Sequence, residues 1–295
     1  MKKLLSTVVL LLLTVSITTS AFAQKQKSRD ELLKEISTLS NTKKPEDTEK
    51  AYQLGKEFLT RFAKDKEVEK IKKFVKSYQK FSFFKASEDK KFAEFFAIGK
   101  EILTEEPENS EITLNLGYGS YDAILKNNDR SFGDDGVKYA KLTLELLEKG
   151  SFPPSFAPFA NKEEAIAWMY YVVGYFNLEK DIKVSAASMY KATLYESQIK
   201  KTSQPYYVMA LYYEKQFEDL TKASAGADKT TPIIEQMMDA YARAYKIGVT
   251  EKHPATEEWK SRLAQVYKFH KKTDAGFEPF INYIVTTPLK DPANY

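Results

Sequence analysis

Few residue patterns in this sequence could perform chemistry, and the most frequent of them is Ser-x-x-Lys. In penicillin-binding enzymes this pattern supplies the nucleophile, and it is accompanied there by Ser-Asp-Asn and Lys-Thr-Gly. Neither companion motif occurs in this sequence, whereas lysine is abundant enough to produce the tetrapeptide by chance. We therefore assign no role to its six occurrences, which begin at Ser40, Ser77, Ser82, Ser87, Ser188 and Ser197.

Metal and cofactor patterns are equally incomplete. The only two histidines, His253 and His270, are isolated from each other in the sequence, whereas metal sites are clusters with set spacing. Gly117-Tyr118-Gly119 lacks the third glycine of a dinucleotide loop, and residues 127–136 lack the glycine and glutamate of a calcium loop. We expect no cofactor and no metal ion, and we predict that the protein is not an enzyme.

The N-terminus has the pattern of a secretory signal peptide. A basic start is followed by the apolar residues 4–13 and by Ser20-Ala21-Phe22-Ala23, so residues 1–23 are predicted to be removed after Ala23. The alternative is a membrane anchor, but the apolar run is shorter than the roughly 20 residues that a spanning helix needs. The absence of cysteine excludes a lipoprotein anchor and disulfides. We expect a periplasmic or secreted protein with no transmembrane segment after cleavage.

Charge is distributed unevenly along the chain. Residues 24–91 contain 19 Lys+Arg against 12 Asp+Glu, although the whole chain has a formal charge of only +4. A basic segment of this kind could meet an acidic partner or an anionic lipid, but lysines that alternate with acids are more typical of solvated helical faces. We expect no nucleic-acid partner.

Hydrophobic periodicity is helical along nearly the whole chain. Leu32, Ile36 and Leu39 follow Ser28 at helical spacing, and no segment alternates convincingly with a period of two. Breaks rich in proline, glycine and asparagine separate about a dozen helical stretches. The sequence predicts an all-α protein with helical repeats in residues 24–150, continued by helical repeats in residues 151–295 after a proline-rich loop.

A repeated hexapeptide supports the repeat interpretation. GKEFLT at residues 55–60 returns as GKEILT at residues 99–104. Glycine inside a helix costs up to about 1 kcal/mol relative to alanine, so its recurrence at one point of two similar helices predicts close approach of a neighbouring helix. Self-similarity at this period is expected of stacked helical repeats.

Three segments resemble the tetratricopeptide repeat, a unit of two antiparallel helices. The Leu-Gly position of that pattern corresponds to Leu116-Gly117, Val173-Gly174 and Leu263-Ala264. Its later small and aromatic positions are filled by Ala186 and Tyr190 in the second segment and by Gly276 and Phe280 in the third, which Pro288 closes. Residues 203–250 fit the pattern poorly. The resemblance implies a superhelical solenoid of stacked antiparallel helix hairpins.

Aromatic residues at helical spacing are the candidate binding residues. Trp168, Tyr171 and Tyr175 fall on a face adjacent to the one that carries Gly174. In the repeat family the corresponding face of each first helix lines a concave groove, and the resemblance therefore implies a partner-binding groove lined by Tyr118, Tyr121, Trp168, Tyr171, Tyr175, Met209 and Tyr212. The alternative is that these side chains pack against neighbouring repeats as core.

The sequence favours an exported, monomeric, non-enzymatic scaffold that binds a protein or peptide through this groove. The alternative function is a carbohydrate-binding or polysaccharide-handling accessory protein of the cell envelope, in which the same rings would stack on sugars. The groove interpretation further predicts that replacing Tyr171 and Tyr175 by alanine removes binding with little effect on thermal stability.

Overall fold

The computed structural model describes residues 26–42 and 44–292 of the chain. The predicted signal peptide, residues 1–23, lies outside the described residues. Within them the structure has no strand, one short 3-10 helix and twelve α-helices, which confirms the all-α class. The helices are α1 (Arg29–Asn41), α2 (Pro45–Arg61), α3 (Val68–Glu88), α4 (Phe92–Glu105), α5 (Ser110–Asn127), α6 (Gly133–Glu148), α7 (Lys162–Asn177), α8 (Ile182–Thr193), the 3-10 helix (Ile199–Lys201), α9 (Gln204–Lys222), α10 (Ala227–Glu251), α11 (Thr256–Lys271) and α12 (Phe277–Ile284).

Side-chain caps fix several helix starts. Ser28 forms a capping box with Glu31 at the start of α1, as the sequence pattern predicts. Asn109, Asn161 and Asp181 accept hydrogen bonds from backbone amides in the first turns of α5, α7 and α8. These caps satisfy amides that have no partner inside the helix, and each one contributes about 1 kcal/mol.

The chain divides into two compact units, of which one ends at Tyr78 and the other begins at Gln79. In the first unit α1 packs on α2, and the core contains the fully buried Leu32 and Phe58. In the second unit each helix from α4 to α10 packs on the next, and α6 contacts α7 although the proline-rich loop at residues 151–161 connects them. The division at Tyr78 does not coincide with the predicted one at residues 150 and 151.

Packing between consecutive helices in the second unit is consistent with a helical repeat arrangement. The helix pairs α5–α6, α7–α8 and α9–α10 are the closest neighbours, and α5 also lies against α7. The contact between α5 and α7 brings the first helices of the first two of these hairpins together. This arrangement determines which side chains share a surface.

The repeated glycines lie where neighbouring helices approach closely, as predicted. A Cβ atom on Gly55 would stand 2.8 Å from Val75 Cγ2, and one on Gly99 would stand 2.8 Å from both Phe83 and Leu116. Both distances are shorter than van der Waals contact, so the missing side chain makes room for large apolar neighbours.

Gly117 differs from these two glycines, because helix backbone as well as the Met169 sulfur lies close to it. A Cβ atom at this position would lie 3.1 Å from the amide nitrogen and 3.2 Å from the Cα atom of Ala140 on α6. A flexible side chain could move aside, but the backbone of a packed helix cannot do so on its own. A side chain at position 117 would therefore require α6 to shift by a few tenths of an ångström.

We predict that Gly117→Val destabilises the protein by about 1–3 kcal/mol, the usual cost of overpacking a core. The matched control is Lys141→Val on the exposed face of α6, which tests the helix propensity of valine alone. Urea unfolding followed by circular dichroism measures both variants. Equal stability of the two would contradict close helix approach at residue 117.

A buried ion pair anchors the C-terminal helix. Arg243 Nε donates to Asp239 Oδ1 at 2.7 Å, and the two side chains are 14% and 5% exposed. The other guanidinium nitrogens of Arg243 donate to the carbonyls of Ile284 at 3.2 Å, Val285 at 3.3 Å and Thr287. One cation on α10 thus satisfies the carbonyls at the end of α12, which have no partner in the helix.

Burial raises the pKa of Asp239 to about 6, although Arg243 and Lys290 oppose the shift. The folded protein therefore binds a proton at this residue more tightly than the unfolded chain does. Stability from this residue is fully present below about pH 4, the unfolded value, and is lost as the pH rises through about 6.

We predict that the free energy of unfolding of the wild type falls relative to that of Asp239→Asn between pH 4 and pH 7. The size of the fall is about 3 kcal/mol, from roughly two pKa units at about 1.4 kcal/mol each. Urea unfolding at several pH values measures it. A constant difference between the two proteins across this range would contradict the shift.

Candidate functional site

The candidate site is built on α5 and α7. Tyr118 and Tyr121 are three residues apart on α5, so they project from one face of that helix. Trp168, Tyr171 and Tyr175 have spacings of three and four on α7 and likewise share a face. Because α5 lies against α7, the two faces meet.

The rings of the two helices form one continuous cluster around Tyr121. Its ring centre lies 5.6 Å from that of Trp168, 5.4 Å from Tyr171 and 5.1 Å from Tyr175. Tyr118 meets Trp168 edge-on at 5.3 Å. Most of these contacts are edge-to-face, the arrangement that the ring quadrupole favours, and each contributes about 0.5–1.5 kcal/mol beyond burial.

The rings of this cluster differ in solvent exposure: four form a partly exposed surface, and one is buried beneath it. Tyr118, Tyr121, Trp168 and Tyr175 are partly exposed, and we call these four residues the aromatic face. Tyr171 is only 3% exposed and lies beneath them. Its ring belongs to the core that α7 forms with α8, the 3-10 helix and α9, and this burial argues against the prediction that Tyr171 could be removed with little effect on stability.

A chain of hydroxyl groups extends from the cluster to α9. The Tyr171 hydroxyl donates to Oε1 of Gln204. The Tyr121 hydroxyl oxygen lies 3.4 Å from the Tyr171 hydroxyl oxygen. Because the single hydroxyl proton of Tyr171 is donated to Gln204, the Tyr121 hydroxyl is the donor in the hydrogen bond between the two tyrosines. Burial raises the pKa of Tyr118, Tyr121 and Tyr171, so these phenols stay neutral and serve as hydrogen-bonding groups rather than as bases.

A cleft of about 410 Å³ opens beside the aromatic face, and Tyr175 belongs to both. We call it the mixed-charge cleft, because its lining includes Arg130, Asp134, Glu179 and Lys180. Arg130 Nη2 lies 3.5 Å from the Tyr175 hydroxyl, and Lys180 Nζ pairs with Asp134 Oδ1 at 2.5 Å. Gln204 also lines the cleft. Its amide oxygen accepts the hydrogen bond from Tyr171, and its amide nitrogen is a further donor at the cleft.

Two predicted groove residues are core residues instead. Met209 is fully buried and Tyr212 is 4% exposed, and both belong to the hydrophobic cluster that α9 forms with α10 and α11. Residue spacing identifies the helical face on which they lie. It does not identify whether neighbouring helices cover that face, and here the core of the second unit covers it.

The structure adds residues that sequence reasoning missed. Arg130 comes from the loop between α5 and α6, and Gln204 is the first residue of α9. Phe159, from the proline-rich loop, packs edge-on against Tyr118 at 5.1 Å. No periodic pattern marks these residues, and the only local signal was the helix break before Pro205.

Both histidine side chains make packing, hydrogen-bond or charge contacts with neighbouring residues. The ring of His253 stacks on Trp259 at 4.5 Å, and His253 Nδ1 accepts a hydrogen bond from the Ala255 amide at 3.2 Å. His270 Nε2 lies 3.8 Å from Glu235, and burial lowers the pKa of the imidazole. In the part of the chain that the structure describes, no group of three or more His, Asp or Glu side chains could hold a metal ion.

No described helix is both long enough and apolar enough to cross a membrane. Comparison of the chain with family models, with curated protein sequences and with solved structures finds no match. A function for this chain must therefore be inferred from its own helices and side chains.

The difference in exposure between Tyr171 and Tyr118 predicts that their alanine variants differ in stability. Tyr171→Ala should destabilise the protein by about 3–5 kcal/mol, the usual cost of truncating a buried aromatic side chain. Tyr118→Ala should cost roughly half of that or less, because part of the ring already contacts water. Urea unfolding of both variants measures the difference. Equal costs would contradict the assignment of Tyr118 to an open surface.

Proposed function

We propose that this protein is a non-enzymatic scaffold that binds an extended peptide segment of a protein partner through the aromatic face and the mixed-charge cleft. The observation that carries this proposal is the continuous, partly exposed ring surface that α5 and α7 form together. Tyr and Trp are the side chains most often found as anchors in protein interfaces, because they bury a large area and lose little conformational entropy.

The mixed-charge cleft supports a peptide as the occupant. A peptide backbone carries carbonyl groups that need donors when water is removed, and Arg130 and the Gln204 amide supply donors beside the rings. Charges of both signs line the same cleft, so flanking polar side chains of a partner can pair there. An apolar surface alone would favour an apolar ligand instead.

Preorganisation of the site also favours recognition. The buried ring of Tyr171 and its hydrogen bond to Gln204 link α7 to α9, while Tyr121 links α5 to α7. A peptide loses conformational entropy when it binds, whereas the preorganised scaffold loses little.

We infer that the second unit is a divergent tetratricopeptide-like solenoid. Consecutive hairpins, the α5–α7 contact and the close approach of α8 to Gly174 support this inference. The last hairpin differs from the pattern, since Gly276 precedes α12 with φ of +82° instead of lying inside the second helix. Tyr267 and Phe280 nevertheless meet at 5.1 Å, as paired helices of such a unit require.

We further propose that the protein is exported and acts as a monomer in the periplasm or outside the cell. The basic, apolar and small residues at positions 1–23 support export, and the absence of cysteine argues against a lipid anchor. The partner is then a protein of the cell envelope or its surroundings.

Selection from a displayed peptide library tests the proposed function. The immobilised protein is the target, and the variant Trp168→Ala/Tyr175→Ala removes the two largest anchors. We predict that the enriched peptides bind the wild type and lose at least about tenfold in affinity for the variant, with unchanged helicity by circular dichroism. The matched control is Tyr283→Ala, which removes an exposed tyrosine of α12.

Two outcomes would contradict peptide binding at this surface. In one, the library yields no peptide that distinguishes the wild type from the double variant. In the other, soluble glycans bind the wild type but not the variant, with little dependence on salt, and peptides do not compete. The second outcome would establish the carbohydrate-binding alternative, because sugar stacking on rings needs no charge pairing.

A further inference from the structure

A second cleft, of about 570 Å³, lies between the 3-10 helix, α9, α10 and the segment after α12. We call it the basic cleft. None of its residues belongs to the aromatic face or to the mixed-charge cleft, so the two sites can be tested separately. Its volume falls within the range of about 300–1,000 Å³ that small-molecule sites occupy.

The walls of the basic cleft are held by specific hydrogen bonds. The Tyr206 hydroxyl donates to the carbonyl of Lys200 at 2.9 Å, which fixes the 3-10 helix against α9. Ser203 donates from its amide and its hydroxyl to Glu251 Oε2 at 3.0 and 2.5 Å, which joins the start of α9 to the end of α10. Arg243 holds Val285 through its carbonyl. The cleft is therefore formed before any ligand arrives.

Four basic side chains line the cleft, and two of them are already compensated. Arg243 pairs with Asp239, and Lys200 pairs with Glu196. Lys246 Nζ donates to the neutral amide oxygen of Asn282, at 3.1 Å, which leaves its charge without a counter-ion in direct contact.

Lys201 is the fourth basic residue of the cleft. Within residues 26–42 and 44–292 its side chain makes no hydrogen bond or ion pair. Its charge acts on Glu196 through space, but that carboxylate is already paired with Lys200. The cleft thus presents two ammonium groups, those of Lys201 and Lys246, that an anionic ligand can pair with directly.

The remainder of the lining consists of the Glu196 carboxylate, which Lys200 pairs with, of Thr250 and of three apolar groups. The ring of Tyr206 and the side chains of Ile247 and Val285 contribute carbon surface between the basic groups. Burial raises the pKa of Tyr206 to about 12, so its hydroxyl carries no competing negative charge near neutral pH. A ligand that fits must therefore combine an anionic group with an apolar body.

We propose that the basic cleft binds a small organic anion, in which a carboxylate, sulfonate or phosphate monoester pairs with Lys201 and Lys246. The apolar body of the ligand lies against Tyr206, Ile247 and Val285. An inorganic anion would satisfy the two ammonium groups but would leave this carbon surface in contact with water. Charge complementarity and apolar burial together select the organic anion.

The test uses the full chain and 8-anilinonaphthalene-1-sulfonate, a fluorescent aromatic sulfonate. Its uncharged analogue N-phenyl-1-naphthylamine has a similar apolar body and no anionic group. We predict at least about tenfold weaker sulfonate binding by Lys201→Gln/Lys246→Gln than by the wild type. The matched control is Lys141→Gln/Lys183→Gln, which neutralises two exposed lysines of α6 and α8 and should bind as the wild type does.

A second variant blocks the space without changing the charge. Thr250 lines the cleft from the exposed surface of α10, so Thr250→Trp should fill the cleft and abolish sulfonate binding while the melting temperature stays unchanged. In spectra of the wild type, the sulfonate should shift amide resonances of residues 196–206 and 243–250. Rising salt should weaken its binding, because the pairing is between exposed charges.

Three results would overturn the proposal. The first is equal sulfonate affinity in the wild type and Lys201→Gln/Lys246→Gln, and the second is undiminished binding by Thr250→Trp. The third is binding of the uncharged analogue as tight as that of the sulfonate. Inorganic phosphate at constant ionic strength should displace the sulfonate only weakly, and displacement at comparable affinity would reduce the cleft to a simple anion site.

Discussion

The contact between α5 and α7 is the interaction on which the candidate site depends. These helices belong to successive hairpins, and within the first of these hairpins Gly117 of α5 faces the backbone of Ala140 on α6. Edge-to-face packing around Tyr121 then holds the two ring-bearing faces together. Without this contact the aromatic residues would be separate surface patches on separate hairpins.

Under the proposed function the same cluster satisfies two opposing requirements. Stability requires that rings be buried, whereas binding requires that they remain accessible. The cluster meets both because Tyr171 is buried and hydrogen-bonded to Gln204, while Tyr118, Tyr121 and Trp168 above it stay partly exposed. A rigid support of this kind keeps exposed rings in one arrangement, which reduces the entropy lost on binding.

The sequence predicted those features that depend on local spacing. Helical periodicity gave the all-α class, the repeated GKEFLT and GKEILT gave close helix approach, and spacings of three and four placed the rings of α7 on one face. Features that depend on distant neighbours were not predictable. Met209 and Tyr212 lie in a core cluster that α9 shares with other helices, and Arg130 and Gln204 reach their cleft from a loop and a helix start, where periodicity carries no information.

Nuclear Overhauser effects between assigned ring protons report which aromatic side chains are neighbours in solution, so they test whether α5 and α7 share one aromatic face. Ring centres about 5–6 Å apart place ring protons within the range of this measurement. We predict cross-peaks from Tyr121 on α5 to Trp168, Tyr171 and Tyr175 on α7. Assigned spectra in which Tyr121 shows no cross-peak to any of these three rings would contradict a shared aromatic face.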